Sequence, residues 1–136
     1  MGLDMYLYAK QSFSNYDFVP KEKKFNDALR GLLGLQDFND SNNYIEVNVT
    51  VAYWRKANAI HKWFVDNLQD GKDDCGVYYV SPNQLEELLQ LCNTALSNRD
   101  ATLLPPMSGF FFGSTDIDEG YWDDIQNTKD MLEKIL

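Results

Sequence analysis

A chain of 136 residues, 44% hydrophobic and 14% aromatic, is long enough for one domain whose core needs no disulfide or metal staple. Twenty-one acids against twelve bases give a formal charge of −9, which excludes a nucleic-acid polymer as partner, because that affinity comes from Lys and Arg neutralising phosphates, and disfavours an anionic membrane. Two cysteines, an opening with Asp4 in place of a basic leader, and no apolar run near the ~20 residues of a bilayer span lead to the expectation of a reduced, cytoplasmic protein without a disulfide framework.

Leu3–Tyr8 alternates, with Leu3, Met5 and Leu7 on one side and Asp4, Tyr6 and Tyr8 on the other, and predicts a strand. Residues 11–24 have loop character. Phe25, Ala28, Leu29, Leu32 and Leu33 then recur at helical spacing, predicting a helix over 22–33 that Gly34 stops. Tyr44–Val51 alternates again as a second strand with an apolar and a wet face. Tyr53, Ala57, Ile60, Phe64 and Leu68 fall on one helical stripe, predicting a helix over 53–69 that Asp70-Gly71 ends. Gly76–Val80 reads as a short strand. Ser81-Pro82-Asn83-Gln84 is a helix start with the elements of a capping box, opening a helix over 82–97. Gly109–Phe112 reads as a buried strand. Ser114 or Thr115 would cap a last helix over 117–135, whose inner face is Tyr121, Ile125, Thr128, Leu132 and Ile135. The assembly expected is a single α+β domain over 1–136: a small, mainly antiparallel sheet packed by about four helices.

Two stretches invite a functional reading. Val51–Val65 holds Arg55, Lys56 and Lys62 and no acid, a positive island in an acidic chain. On a helix, Trp54, Asn58, His61 and Val65 would share one face, with Arg55 and Lys62 beside it. An indole, an amide, an imidazole and a guanidinium together suit an anionic aromatic ligand: Arg grips phosphate or carboxylate, Trp stacks, and Asn and His read polar edges. The plainer alternative is that Trp54 is core, His61 is a partly buried residue with its own partner, and the bases pair with the chain's own acids, Asp4 and Glu46 among them. In Ser108–Thr115, SGFFFGST, hydroxyls of Ser108, Ser114 and Thr115 flank a Gly-bounded Phe triplet. Amides at a helix start can hold an anion, yet P-loop spacing and its Lys are missing and the acids at 116, 118 and 119 oppose phosphate; a buried strand running into a capped helix explains the stretch as well. No spacing marks a metal site, a catalytic residue or a cofactor.

Three blocks, GLDMYLYAK at 2–10, YWRKANAIHKWFVDNLQDGKDDC at 53–75 and LLPPMSGFFFGSTDIDEGYWDD at 103–124, resemble an uncharacterised family of small phage- and prophage-encoded proteins. The likeness covers the first ten residues and 44–136, and leaves 11–43 as a variable insertion. It carries no catalytic residues over. It implies a host-takeover or anti-defence setting. Two readings follow: a sponge that sequesters an anionic, nucleotide-like small ligand through Trp54, Arg55, Asn58, His61, Lys62, Ser108, Ser114 and Thr115, or an acidic inhibitor that binds a host protein. A deep pocket lined by those residues favours the first, and an exposed acidic surface with rings favours the second. Self-association into a homo-oligomer is open.

Overall fold

The computed structural model describes residues 4–40, 42, 44–108 and 114–136. The fold is α+β, a two-stranded antiparallel sheet and four α-helices among the described residues. In chain order these are β1 (Asp4–Phe13), α1 (Pro20–Leu33), β2 (Ile45–Arg55), α2 (Asn58–Leu68), α3 (Pro82–Asn98) and α4 (Glu119–Ile135). No helix among the described residues is long and apolar enough to cross a membrane. The chain divides into two compact units, a larger one of Val51–Leu136 with the segment up to Tyr6, and a smaller one of Leu7–Thr50. The larger unit carries fifteen of the acids and seven of the bases, net −8; the smaller holds six and five, net −1.

In the larger unit α3 and α4 pack on each other and α2 packs on α4. Leu88, Cys92 and Ala95 of α3, Ile125, Thr128 and Leu132 of α4, and Ile60 and Val65 of α2 are sealed from solvent. Helix α3 starts as its sequence dictates: Ser81 Oγ accepts from the Gln84 amide at 3.1 Å and Gln84 Oε1 from the Ser81 amide at 2.9 Å, with Pro82 in the first turn. Helix α4 is capped by Asp118, whose carboxylate accepts from the Tyr121 amide at 3.1 Å. Neither Ser114 nor Thr115 caps it; the helix begins later than their hydroxyls could reach.

Strand β2 runs to Arg55, so Tyr53, Trp54 and Arg55 are strand residues, and α2 opens only at Asn58. The break is Lys56, held at φ 52°, a left-handed conformation that ends a strand without continuing into a helix. The burial of β2 also changes phase. Val47 and Val51 are half-buried on one alternation, then Ala52 and Trp54 are buried on the other, as one extra strand residue would produce. Gly76–Val80 forms no strand, and the strand expected at Gly109–Phe112 lies outside the described residues.

The smaller unit has an unusual interior. Helix α1 ends on Gly34 at φ 71°, as the sequence predicts, but its apolar stripe faces out. Leu32 is 85% and Phe25 43% exposed, whereas Asn26 and Arg30 are buried. The buried line reaches the loop after β1 through polar contacts. Asn26 Nδ2 donates to the Phe13 carbonyl at 2.9 Å, Arg30 Nε donates to Asn26 Oδ1 at 2.5 Å, and Glu22 Oε1 accepts from the Ser14 amide at 2.9 Å. Asn15, itself buried, donates to the carbonyls of Asn39 and Asp40. These amides satisfy the carbonyl of Phe13, the last residue of β1, and those of Asn39 and Asp40 in the segment after α1. In β1, Gln11–Phe13 extends the strand beyond its expected end, and Lys10 pairs with Glu46 across the ribbon at 3.2 Å.

Candidate functional site: an aspartate-braced loop

Of the eight residues expected to bind a ligand, Arg55, Asn58 and Ser114 border one cleft and the others do not join them. Trp54 is core: its Nε1 donates to Thr128 Oγ1 at 2.8 Å, and that hydroxyl donates on to the Asp124 carbonyl at 2.7 Å. Asn58 is a buried latch. Its Nδ2 donates to the Met107 carbonyl at 2.7 Å and the Ser114 carbonyl at 3.3 Å, while its Oδ1 accepts from the Met107 amide at 2.6 Å. Lys62 pairs with Asp66 one turn on at 2.5 Å. Ser108, Ser114 and Thr115 are exposed, with Ser114 Oγ accepting from the Asp116 amide. The acids proposed to neutralise the positive island are used elsewhere: Asp4 accepts from Tyr53 Oη at 2.7 Å and Glu46 pairs with Lys10.

Arg55 does border a cleft of about 290 Å³, together with Lys56, Asn58, Ser114, Asp116, Asp118 and Asp124. Three carboxylates thus face two cations, which opposes an anionic ligand. Burial, and then the Asp123 and Asp118 carboxylates, push Asp124 up from 3.8 to about 6. A raised folded value means the folded chain favours the protonated acid. The associated stabilisation is complete below about pH 4 and is lost as pH rises through about 6. Asp124→Asn, which imitates the protonated acid, is therefore expected to raise the melting temperature at pH 7.5 and to leave it unchanged near pH 4. Equal shifts at the two pH values would show that Asp124 titrates normally.

The arrangement that sequence reasoning missed follows α2. Asp70 at φ 52° and Gly71 at φ 77° turn the chain out of the helix, and the loop is then fastened by side chains. Asp73 Oδ2 lies 2.7 Å from His61 Nε2. An ionised carboxylate only accepts, so the imidazole carries its proton on Nε2. Asp73 Oδ1 accepts from the Cys75 amide at 3.1 Å and Asp74 Oδ1 from the Gly76 amide at 2.8 Å, two successive side-chain turns. Tyr78 Oη donates to the other Asp74 oxygen. Burial raises the Asp73 carboxyl, but the hydrogen bonds from His61 and Cys75 outweigh it and leave the group below its ordinary value. Tyr78 and the Gly76 amide hold Asp74 low as well. Gly76 sits tightly: a Cβ there would lie 2.8 Å from Asp74 Oδ1 and 3.1 Å from the Tyr78 ring.

This bracing displays rather than buries. Val77 is 94% and Tyr79 81% exposed, on a segment whose backbone is fixed from both sides, since Ser81 begins the α3 capping box. Asp70, Asp73 and Asp74 precede the two side chains in the same segment, with Lys72 the one base between Asp70 and Val80. Neither His61 nor Cys92 is placed for covalent chemistry. His61 is buried, with Nε2 engaged by Asp73 and Nδ1 sealed from solvent, so its ring has no edge for a substrate. Burial pushes the Cys92 thiol up to about 12, which keeps it protonated and inert. The described residues contain no cluster of three His, Cys, Asp or Glu that could hold a metal. Comparisons with protein-family models, curated proteins and solved structures find no match.

Proposed function

We propose that the chain is a protein-binding inhibitor that inserts Val77 and Tyr79 into an apolar pocket rimmed by Lys or Arg on its partner. The observation that carries this reading is the pair of almost fully exposed apolar side chains on a loop immobilised by the His61–Asp73 contact and the Asp73 and Asp74 turns. An unsupported loop would lose entropy on binding, whereas a braced one presents its anchors preorganised. Tyrosine is among the side chains that dominate interface energetics, and the net charge of −8 in the larger unit steers it toward a basic surface. The likeness to phage and prophage proteins makes the partner a host factor, met in the cytosol, and the activity an anti-defence or takeover one. A sponge for an anionic ligand is the weaker reading, because Trp54, Asn58 and His61 are spent on internal bonds and carboxylates share the Arg55 cleft.

Affinity capture from host lysate, quantified by mass spectrometry, tests this with three baits: wild type, Val77→Ala and Tyr79→Ala. Each substitution is expected to weaken the capture of one specific protein at least about tenfold and to leave the melting temperature unchanged, since neither side chain packs internally. Denaturing mass spectrometry of the same wild-type preparation reads any retained small molecule. A stoichiometric nucleotide there, with partner capture indifferent to Tyr79→Ala, would replace this proposal with the sponge.

A further inference from the structure

A second surface, in the smaller unit and independent of the loop, asks for its own occupant. Helix α1 turns Glu22, Asn26 and Arg30 inward and leaves Phe25, Leu32 and Leu33 exposed, with Leu29 half-buried between them. The polar face is engaged by the backbone of Phe13 and Ser14 at the end of β1, so the helix cannot roll over to hide its apolar side. We propose that this face is the contact between two copies of the chain, α1 packed antiparallel on α1 across a two-fold axis.

Three features select a second copy. Area is the first: Phe25, Leu32 and Leu33 of α1 are 43–85% exposed, and Phe18, Leu35 and Phe38 in the segments flanking the helix are 42–80% exposed, a summed exposure on the order of 700 Å² against the roughly 800 Å² that each partner gives to a standard interface. Charge is the second. At −1 the smaller unit is the part of a −9 chain where an identical molecule meets little like-charge repulsion. The third is polarity along the helix. Lys21 and Lys24 stand at the N-terminal end of α1, where the helix dipole disfavours cations, and neither has an ion pair among the described residues. Asp37 and Asp40 lie just past its C-terminal end. A two-fold axis across the helix brings the basic end of one copy to the acidic end of the other, twice, as isologous contacts require.

Sedimentation velocity of the full chain from about 1 to 200 µM tests this. Wild type is expected to dimerise within that range. Leu32→Asp, which adds a charge at the centre of the contact but at an 85% exposed site of the protomer, is expected to weaken the dimer at least about a hundredfold with an unchanged circular dichroism spectrum. Lys21→Glu with Lys24→Glu is expected to weaken it too, and adding Asp37→Lys with Asp40→Lys to restore it. The charge pairs keep the test sound even if Leu32→Asp misfolds. A wild-type monomer at 200 µM would overturn the proposal and leave the face to a different protein. A dimer indifferent to Leu32→Asp would place the contact elsewhere, and failure of the double reversal to rescue would overturn the antiparallel arrangement.

Discussion

Trp54→Ala is expected to lower the unfolding free energy by about 3–5 kcal/mol, the range for deleting a buried aromatic side chain. The indole is 4% exposed, lies 5.6 Å from the Phe64 ring between centroids, and donates to a Thr128 hydroxyl that is itself sealed from solvent. Its loss empties a volume that neighbours on two elements cannot refill and removes the donor that Thr128 Oγ1 faces. Trp54→Phe keeps most of the ring and loses the hydrogen bond, so about 1–2 kcal/mol is expected. Arg55→Ala, one residue on, supplies the contrast. Arg55 is exposed, with no hydrogen bond or salt bridge among the described residues, and its change is expected to stay within about 0.5 kcal/mol. Chemical denaturation of the three variants decides the matter. If Trp54→Ala left stability intact while Arg55→Ala lowered it, the strand placement of these two side chains would be wrong, and Arg55 would be a structural residue and not the ligand contact read from the sequence.

Where the chain organises itself locally, its structure was legible. The α3 capping box is written in Ser81, Pro82 and Gln84, because both of its hydrogen bonds close within three residues. The stop at Gly34 and the turn at Asp70-Gly71 are equally local. The start of α2 was not. Tyr53, Ala57 and Ile60 satisfy helical spacing by coincidence, while Val49, Val51, Tyr53 and Trp54 are strand formers by shape, and the deciding event is the positive φ of Lys56, which residue type does not announce. The loop after α2 was misread for a related reason. Val77, Tyr78, Tyr79 and Val80 have strand composition, but Asp73 and Asp74 offer their carboxylates to amides two residues on and so compete with any ladder. The turn-rich run DGKDDCG was the available signal, and it pointed to a fixed loop. The direction of α1 was illegible because periodicity locates a stripe and says nothing of which side is covered. That was settled by Asn26 donating to the Phe13 carbonyl and Glu22 accepting from the Ser14 amide, contacts that no helical period encodes.

That reversal makes Asn26 the most exacting position of the smaller unit. Asn26→Ala is expected to destabilise α1 against its loop by about 2–5 kcal/mol. The substitution strips the Phe13 carbonyl of its donor and Arg30 Nε of an acceptor in a site from which solvent is excluded, and each such loss costs about 1–3 kcal/mol, more where a charge is concerned. Asn26→Leu separates this account from simple burial. If the interior of the unit were short of apolar volume, leucine would stabilise it; with the polar contacts in control, leucine is expected to cost as much as alanine, because the carbonyl and the guanidinium stay behind. Asn26→Asp should be the mildest of the three, since its carboxylate still accepts from Arg30, with charge assistance, and only the donor to Phe13 is lost. Hydrogen exchange of the α1 amides reads the effect within this unit, apart from the melting of the larger one. Unchanged protection in Asn26→Ala, or a gain in Asn26→Leu, would mean that the polar line does not hold the helix, and would remove the reason its apolar stripe faces outward.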